Sequence, residues 1–238
     1  MRVIAPGVWQ FRFLWPGAFN AYFVQGDGEG VVVDASTRWS WPLMKKQLQG
    51  RQVTGVVLTH AHPDHQGCAA KICDRWQVPL GCHELDADSA EGKAPLVRQS
   101  AAWELIGNVF WAGRRSAVSR RLVEGDHVAG FTVFHLPGHT QGHMALLRES
   151  DGVALVGDVI NTNDYLMGTL PVVRESPRTF SADPARNRES IRRLWELKPR
   201  VICAGHGPVL RDMGRLGKFV ARLPRAGDAE RAAVYNGR

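Results

Sequence analysis

The 238-residue chain has no apolar run as long as the ~18 residues that a membrane-crossing helix needs. Its first residues, Met1-Arg2-Val3-Ile4-Ala5-Pro6-Gly7, carry a charge with no long apolar segment behind it, which is not the pattern of a secretory signal. Cysteine is sparse: Cys68, Cys73, Cys82 and Cys203 make up the four, and none stands in a C-x-x-C pair. An even count permits disulfides, but without a signal the expectation is a reduced, cytoplasmic protein. Cys68 is expected to behave as a small buried hydrophobe. No internal repeat, low-complexity stretch or linker divides the sequence. One domain is therefore expected over residues 1–238, with a core at about 5–212 and a basic C-terminal helix and tail at 213–238.

What is present suits such a domain. Hydrophobic residues make up 44% of the chain, enough for a substantial core. The formal charge is +7, and arginines recur late, at Arg211, Arg215, Arg222, Arg225, Arg231 and Arg238. Basic balance admits nucleic acid or an anionic substrate. No aromatic residues are interleaved there at stacking intervals, so a solvated helix with a frayed end is the simpler reading, and a small-molecule substrate the preferred partner.

Along the chain, residues 8–13 and 18–25 read as strands joined at Trp15-Pro16-Gly17, followed by a turn at 27–30 and a short strand ending at Asp34. Helices are expected at 40–49, 66–77, 84–90 and 187–197, with strands at 53–58, 78–82, 121–123, 131–136, 144–147, 153–156 and 201–204. Trp103, Ile106, Phe110 and Trp111 suggest an amphipathic helix, for packing or as a lid. Strand–helix alternation indicates an α/β or α+β fold.

One stretch organises the rest. The strand at 53–58 ends at Thr59 and runs into His60-Ala61-His62-Pro63-Asp64-His65-Gln66-Gly67. Imidazole is the commonest metal-binding side chain and carboxylate an apt oxygen donor beside it. The alternative is a histidine-rich surface loop. Three later strands repeat one pattern, an apolar run, then glycine, then a ligand-type residue: Gly138-His139, Gly157-Asp158 and Gly205-His206. Glycine permits a sharp exit from a strand.

His60-x-His62-x-Asp64-His65, with those later single residues in order, resembles the signature of the metallo-β-lactamase superfamily. The resemblance implies a four-layer αββα sandwich with metals at one edge of the sheets. It places His60, His62 and His139 on a first metal, and Asp64, His65 and His206 on a second, with Asp158 bridging. It also implies a support role for Asp34, which could equally be a turn or N-cap residue. His143 is then a supporting or strand-end residue, while His83, His127 and His135 are ordinary structural histidines. Such a pair of divalent ions, zinc first and iron or manganese as alternatives, would generate a bridging hydroxide, with Asp64 orienting the water or carrying its proton.

The expected reaction is hydrolysis of a small carboxylic ester, lactone or thioester. A phosphodiesterase or nuclease on the same metals, and a mononuclear iron persulfide oxygenase, stay open. The sequence is similar to the thioester-cleaving glyoxalase II branch in its first motif, but Cys68 stands where a second glycine is usual. The lactonase branch resembles Pro137-Gly138-His139-Thr140-Gln141-Gly142-His143 and places a tyrosine after the bridging aspartate, which Tyr165 would match only at a longer spacing. Phe13, Trp15 and Phe19 are candidates for an apolar wall beside the metals, or for ordinary packing.

Overall fold

The computed structural model describes residues 1–14, 17–95, 107, 109–163 and 172–224. Its strands form two sheets. The first joins β1 (Arg2–Ala5), β2 (Val8–Gln10), β3 (Tyr22–Gly26), β4 (Glu29–Val33), β5 (Gly55–Val57), β6 (Leu80–His83) and β7 (Val118–Leu122) in chain order. Its first three pairings are antiparallel and its last three parallel. The second runs β12 (Val201–Ala204), β11 (Val153–Gly157), β10 (Met144–Arg148), β9 (Phe131–His135), β8 (His127–Val128). Only β11 and β12 pair in parallel there.

Alternation along each strand shows why there are four layers, since successive side chains point to opposite faces. In the first sheet, Tyr22, Val24, Val31, Val33 and Val57 face the second sheet. Phe23, Val32, Val56 and Leu58 point outward. They meet α1 (Trp41–Leu48), α3 (Ala69–Trp76) and α4 (Glu84–Ala90) through Met44, Leu48, Ile72 and Ala87. In the second sheet, Met144, Leu146, Val153, Leu155 and Cys203 face inward. Ala145, Leu147, Ala154, Val156 and Ile202 point outward, onto α5 (Pro184–Glu196) and α6 (Met213–Ala221). The fold is α+β, an αββα sandwich.

Several boundaries differ from the sequence reading. β1 was not anticipated; its outer residues Arg2 and Val3 are exposed, so no alternating apolar signal marks it. The helix expected at 66–77 is two, α2 (Pro63–Gln66) and α3, broken at Gly67. There the chain presses on the loop after β4, and a Cβ at Gly67 would stand 2.3 Å from the Arg38 nitrogen. The helix α5 starts at Pro184 rather than 187, because Asp183 accepts hydrogen bonds from the nitrogens of Ala185 and Arg186 at 3.0 Å and proline fits the first helical turn. The C-terminal helix is not solvated all round: Leu216 is fully buried and Met213 and Phe219 pack with it. Trp15, Trp103, Ile106, Tyr165 and the arginines beyond Leu223 lie outside the described residues. The four thiols are free and buried, and burial pushes that of Cys68 up to about 12. Among the described residues no helix is long and apolar enough to cross a membrane.

Candidate metal centre

The ligand-type residues leave the strands at one edge of the sandwich. His60, His62, Asp64 and His65 follow β5, while His139, Asp158 and His206 follow β9, β11 and β12. The fold brings all seven together as three overlapping groups: His60–His62–His139, His60–His65–Asp158 and Asp64–His65–His206, with the donor atoms in each within 4.8 Å of one another. In the first group His62 Nδ1 lies 3.0 Å from His60 Nε2 and 2.8 Å from His139 Nε2. Across the site, His206 Nε2 lies 3.3 Å from Asp64 Oδ2 and 3.2 Å from Asp158 Oδ2. Asp158 faces both ways, since its Oδ2 is 3.7 Å from His139 Nε2 and its Oδ1 3.5 Å from His65 Nε2.

Two glycines permit this crowding. A Cβ at Gly205 would meet Asp158 Oδ1 at 2.3 Å, and one at Gly157, where φ is +49°, would meet Thr59 Oγ1 at 2.4 Å.

The protonation pattern divides the site. Burial, then the positive ends of neighbouring rings, holds His60 well below the usual imidazole range. Burial likewise lowers His62 to about 4 and puts His139 well below normal. On the other side burial is overcome. Asp34, Asp158 and Asp64 raise His65 to about 9, and Asp158 and Asp64 hold His206 well above its usual value. Despite burial, His65 and His206 bring Asp64 down to about 2 and keep Asp158 well below the carboxylate range. Without a cation, protons on His65 and His206 balance the two carboxylates. Even so, His65 Nε2 and Asp158 Oδ1 are buried with no hydrogen-bond partner. Orphaned buried polar atoms are costly, and a cation between them satisfies both. Imidazole and carboxylate donors suit zinc, iron or manganese.

Behind the donors stand residues that fix their orientation, as ligand shells generally require. Asp34 adopts a left-handed φ of +57°. Its Oδ2 accepts from His65 Nδ1 at 2.9 Å, and its Oδ1 from the Thr59 nitrogen at 2.8 Å. It is a support residue and caps no helix. The Thr59 hydroxyl donates to Asp34 and accepts from His60 Nδ1 at 3.1 Å. His143 Nε2 accepts from the Asp158 nitrogen at 3.0 Å, and its ring stacks on His60, so it supports the site from outside the three donor groups. His206 Nδ1 donates to the Ala18 carbonyl. His139 Nδ1 pairs with Ser181 Oγ at 3.2 Å. His83 and His135 stack on each other at 4.1 Å, away from the donors, and His127 lies in β8.

Sequence reasoning missed Asp86. It is 3% exposed, and both its oxygens are used. Oδ2 accepts from the Ala61 nitrogen at 3.1 Å and from the Thr140 hydroxyl at 2.6 Å, and Oδ1 accepts from the Gly142 nitrogen at 2.7 Å. It thereby pins the His60–His62 loop to the His139–His143 loop. A signal existed: Asp86 falls on the buried stripe of its helix with Ala87 and Ala90, where an acid needs a reason.

An αββα sandwich with a histidine–aspartate cluster at one edge defines a class of metal-dependent hydrolases. The chain belongs to the metallo-beta-lactamase superfamily, whose family model matches residues 14–206. It is similar to a probable metallo-hydrolase, YflN, of Bacillus subtilis (28% identity, covering 79% of this chain and 80% of that one). It is also similar to a hydroxyacylglutathione hydrolase of Xanthomonas axonopodis pv. citri (27% identity, 87% of this chain but 65% of that one). Among solved structures, TTHA1623 in a di-iron-bound form superposes with a TM-score of 0.66 at 29% identity, covering 87% of this chain and 96% of that one.

Proposed function

We infer that this protein is a dinuclear metal hydrolase of a small carboxylic ester, lactone or thioester. The observation that carries the reading is Asp158, whose two oxygens face donors on opposite sides of the site. His60, His62 and His139 would hold one divalent ion, Asp64, His65 and His206 the other, and Asp158 both. Zinc suits the donors, and the di-iron form of TTHA1623 supports iron as an alternative. Bound ions of this kind make water acidic enough to ionise near neutral pH and polarise a carbonyl.

The chain's own groups do the rest. Asp64 stays ionised, and with 15% of its side chain exposed it is the donor-cluster carboxylate most open to solvent. It is placed to accept a proton from an attacking water. Asp34 and Asp86 hold the imidazole donors in register.

The pairing of several described arginines with acids supports a carboxylic substrate over a phosphodiester. Arg114, Arg120, Arg121, Arg148, Arg186, Arg188, Arg193 and Arg215 each pair with an acid. A phosphodiester groove calls for unpaired cations leading to the metals. The test joins metal analysis of purified protein to a panel of lactones, thioesters, aryl esters and bis-aryl phosphodiesters. About two ions per chain and turnover of the carboxylic substrates are expected. Turnover of phosphodiesters alone, or one iron per chain with persulfide oxidation, overturns the reading. Asp64→Ala is expected to abolish turnover of whichever substrate works.

A further inference from the structure

Beside the His206 side of the centre lies a cavity of about 430 Å³, within the size range of small-ligand pockets. Phe13 and Leu14 line its outer side, and three further segments, each continuous with the donor site, wall the rest. Ala18 and Phe19 form one wall; the Ala18 carbonyl accepts from His206 and the Phe19 ring meets the His206 ring edge-on at 5.6 Å. Ser36, Thr37, Trp39, Ser40 and Leu43 form the second, a stretch that begins two positions after Asp34. Phe110 and Trp111 form the third, and the nearby Gly107 lies against Pro63 of the histidine loop.

The walls are tied together. The Arg38 nitrogen donates to the Trp111 carbonyl at 2.9 Å, and Trp39 Nε1 donates to the Phe110 carbonyl at 2.7 Å. Phe19 packs on Trp111 at 5.8 Å. Among the described residues no acidic or basic side chain lines the cavity. Its Ser36 hydroxyl is already engaged with the Phe19 carbonyl and with Ser40. Meanwhile Leu14, Trp39 and Phe110 at its rim are 81%, 67% and 56% exposed. Large apolar side chains grouped in the open mark a binding surface rather than scattered exposure. A ligand carbonyl in the metal centre would extend its substituent past Phe19 into this space.

We propose that this cavity is the subsite for an uncharged aliphatic acyl arm of the substrate. The inference rests on the hydrolase reading above and narrows it: the preferred ester, lactone or thioester carries a medium-length, neutral chain on its acyl side. An arm ending in a carboxylate or ammonium finds no counter-charge among the described lining residues and is disfavoured.

The test uses the metal-loaded full chain and p-nitrophenyl esters from acetyl through hexanoyl to decanoyl, with the adipoyl monoester as a charged-arm partner of the hexanoyl compound. Burial of each methylene is expected to raise kcat/KM by about threefold to fourfold until the cavity is full. The adipoyl ester should fall at least about tenfold below the hexanoyl ester. In Leu14→Glu/Phe110→Glu the decanoyl-to-acetyl ratio should collapse at least about tenfold. A second readout needs no turnover: decanamide should change the fluorescence of the wild-type protein, and less so that of Trp39→Phe.

The outcomes separate the two readings. No hydrolysis of any ester, with decanamide still bound, sinks the hydrolase assignment and leaves the cavity as an apolar ligand site. Hydrolysis with a flat chain-length profile and no decanamide response sinks the subsite and leaves the hydrolase. A dimer by sedimentation that Leu14→Glu/Phe110→Glu splits into monomers, together with the flat profile, would assign the patch to a second copy of this chain instead.

Discussion

The two halves of the donor cluster are built on different principles. The His60–His62–His139 half consists of imidazoles kept neutral by burial, and it is braced by one carboxylate that touches no donor atom. The Asp64–His65–His206 half has its charge inside it, with two basic imidazoles facing two acids, and its brace, Asp34, binds a donor ring directly. The first half is preformed by geometry. The second is preformed by electrostatics, with protons occupying the role of a cation. The halves should therefore respond differently to the same perturbation.

The largest effect should come from removing the residue that makes the halves one site. Asp158→Ala removes the main counter-charge of His206 and, after Asp34, the next one of His65. Turnover should drop by about a thousandfold or more, equivalent to ~4 kcal/mol of barrier. Metal analysis should show the second half emptied while the first keeps its ion. Equal loss from both halves would mean that they are not separable.

Next come the braces. Removing a residue behind a metal ligand commonly costs about 10- to 100-fold in metal affinity. Asp86→Ala should weaken only the first half, because all three of its hydrogen bonds lie on the His60–His62 and His139–His143 loops. Asp34→Ala should weaken the second half most and the first slightly, through the Thr59 relay to His60. Competition with a metal-sensing dye, which resolves two affinities, reads both. If Asp86→Ala instead lowers the second affinity, the loops are coupled more tightly than the hydrogen bonds imply.

Much of this was legible in the sequence, and the reason is local. A ligand-type residue at the end of an apolar strand, released by glycine, advertises itself through residue type and spacing, as His139, Asp158 and His206 did; His60, His62, Asp64 and His65 did so by clustering within six positions after a strand. The four layers were implied by the family resemblance, and the structure shows the alternation behind them, with Tyr22 and Val24 entering one core and Phe23 the other. What escaped depends on contacts between distant segments. Asp86 earns no motif because its partners, two backbone nitrogens and the Thr140 hydroxyl, lie 25 to 56 positions away. Asp34 was ambiguous for the same reason, until its partner Thr59 was placed. β1 escaped because half of it is exposed.

Acidity offers a gentler probe of the same contrast. A cation must displace protons from its ligands. His65, raised to about 9, is protonated in the metal-free site throughout the neutral range, so its proton alone should weaken binding in the second half about tenfold for each pH unit lowered from 8 to 6, and displacement of the proton on His206, also held above its usual value, steepens the slope further. His62, lowered to about 4, is already deprotonated there, and the first half should be nearly indifferent over the same window. The sign also holds for the metal-free fold: a raised His65 stabilises it at low pH and loses that contribution as pH climbs through 9. Parallel slopes for the two affinities would contradict the division.

The smallest expected effect isolates orientation from charge. Ser181 Oγ pairs with His139 Nδ1 at 3.2 Å and with the Pro177 carbonyl at 3.3 Å, and neither bond carries an ionised group. A neutral hydrogen bond of this kind contributes ~1 kcal/mol, so Ser181→Ala should weaken metal binding in the first half by about fivefold and leave the second unmoved. The bond is worth testing because it is so small. His139 is also fixed by its loop, since the Ala182 nitrogen donates to its carbonyl at 3.0 Å and Asp86 holds the next residue's hydroxyl. A ring positioned mainly by backbone should tolerate loss of its last side-chain partner. A much larger loss, comparable with Asp86→Ala, would show that the imidazole's tautomer, rather than the position of its loop, governs the first half.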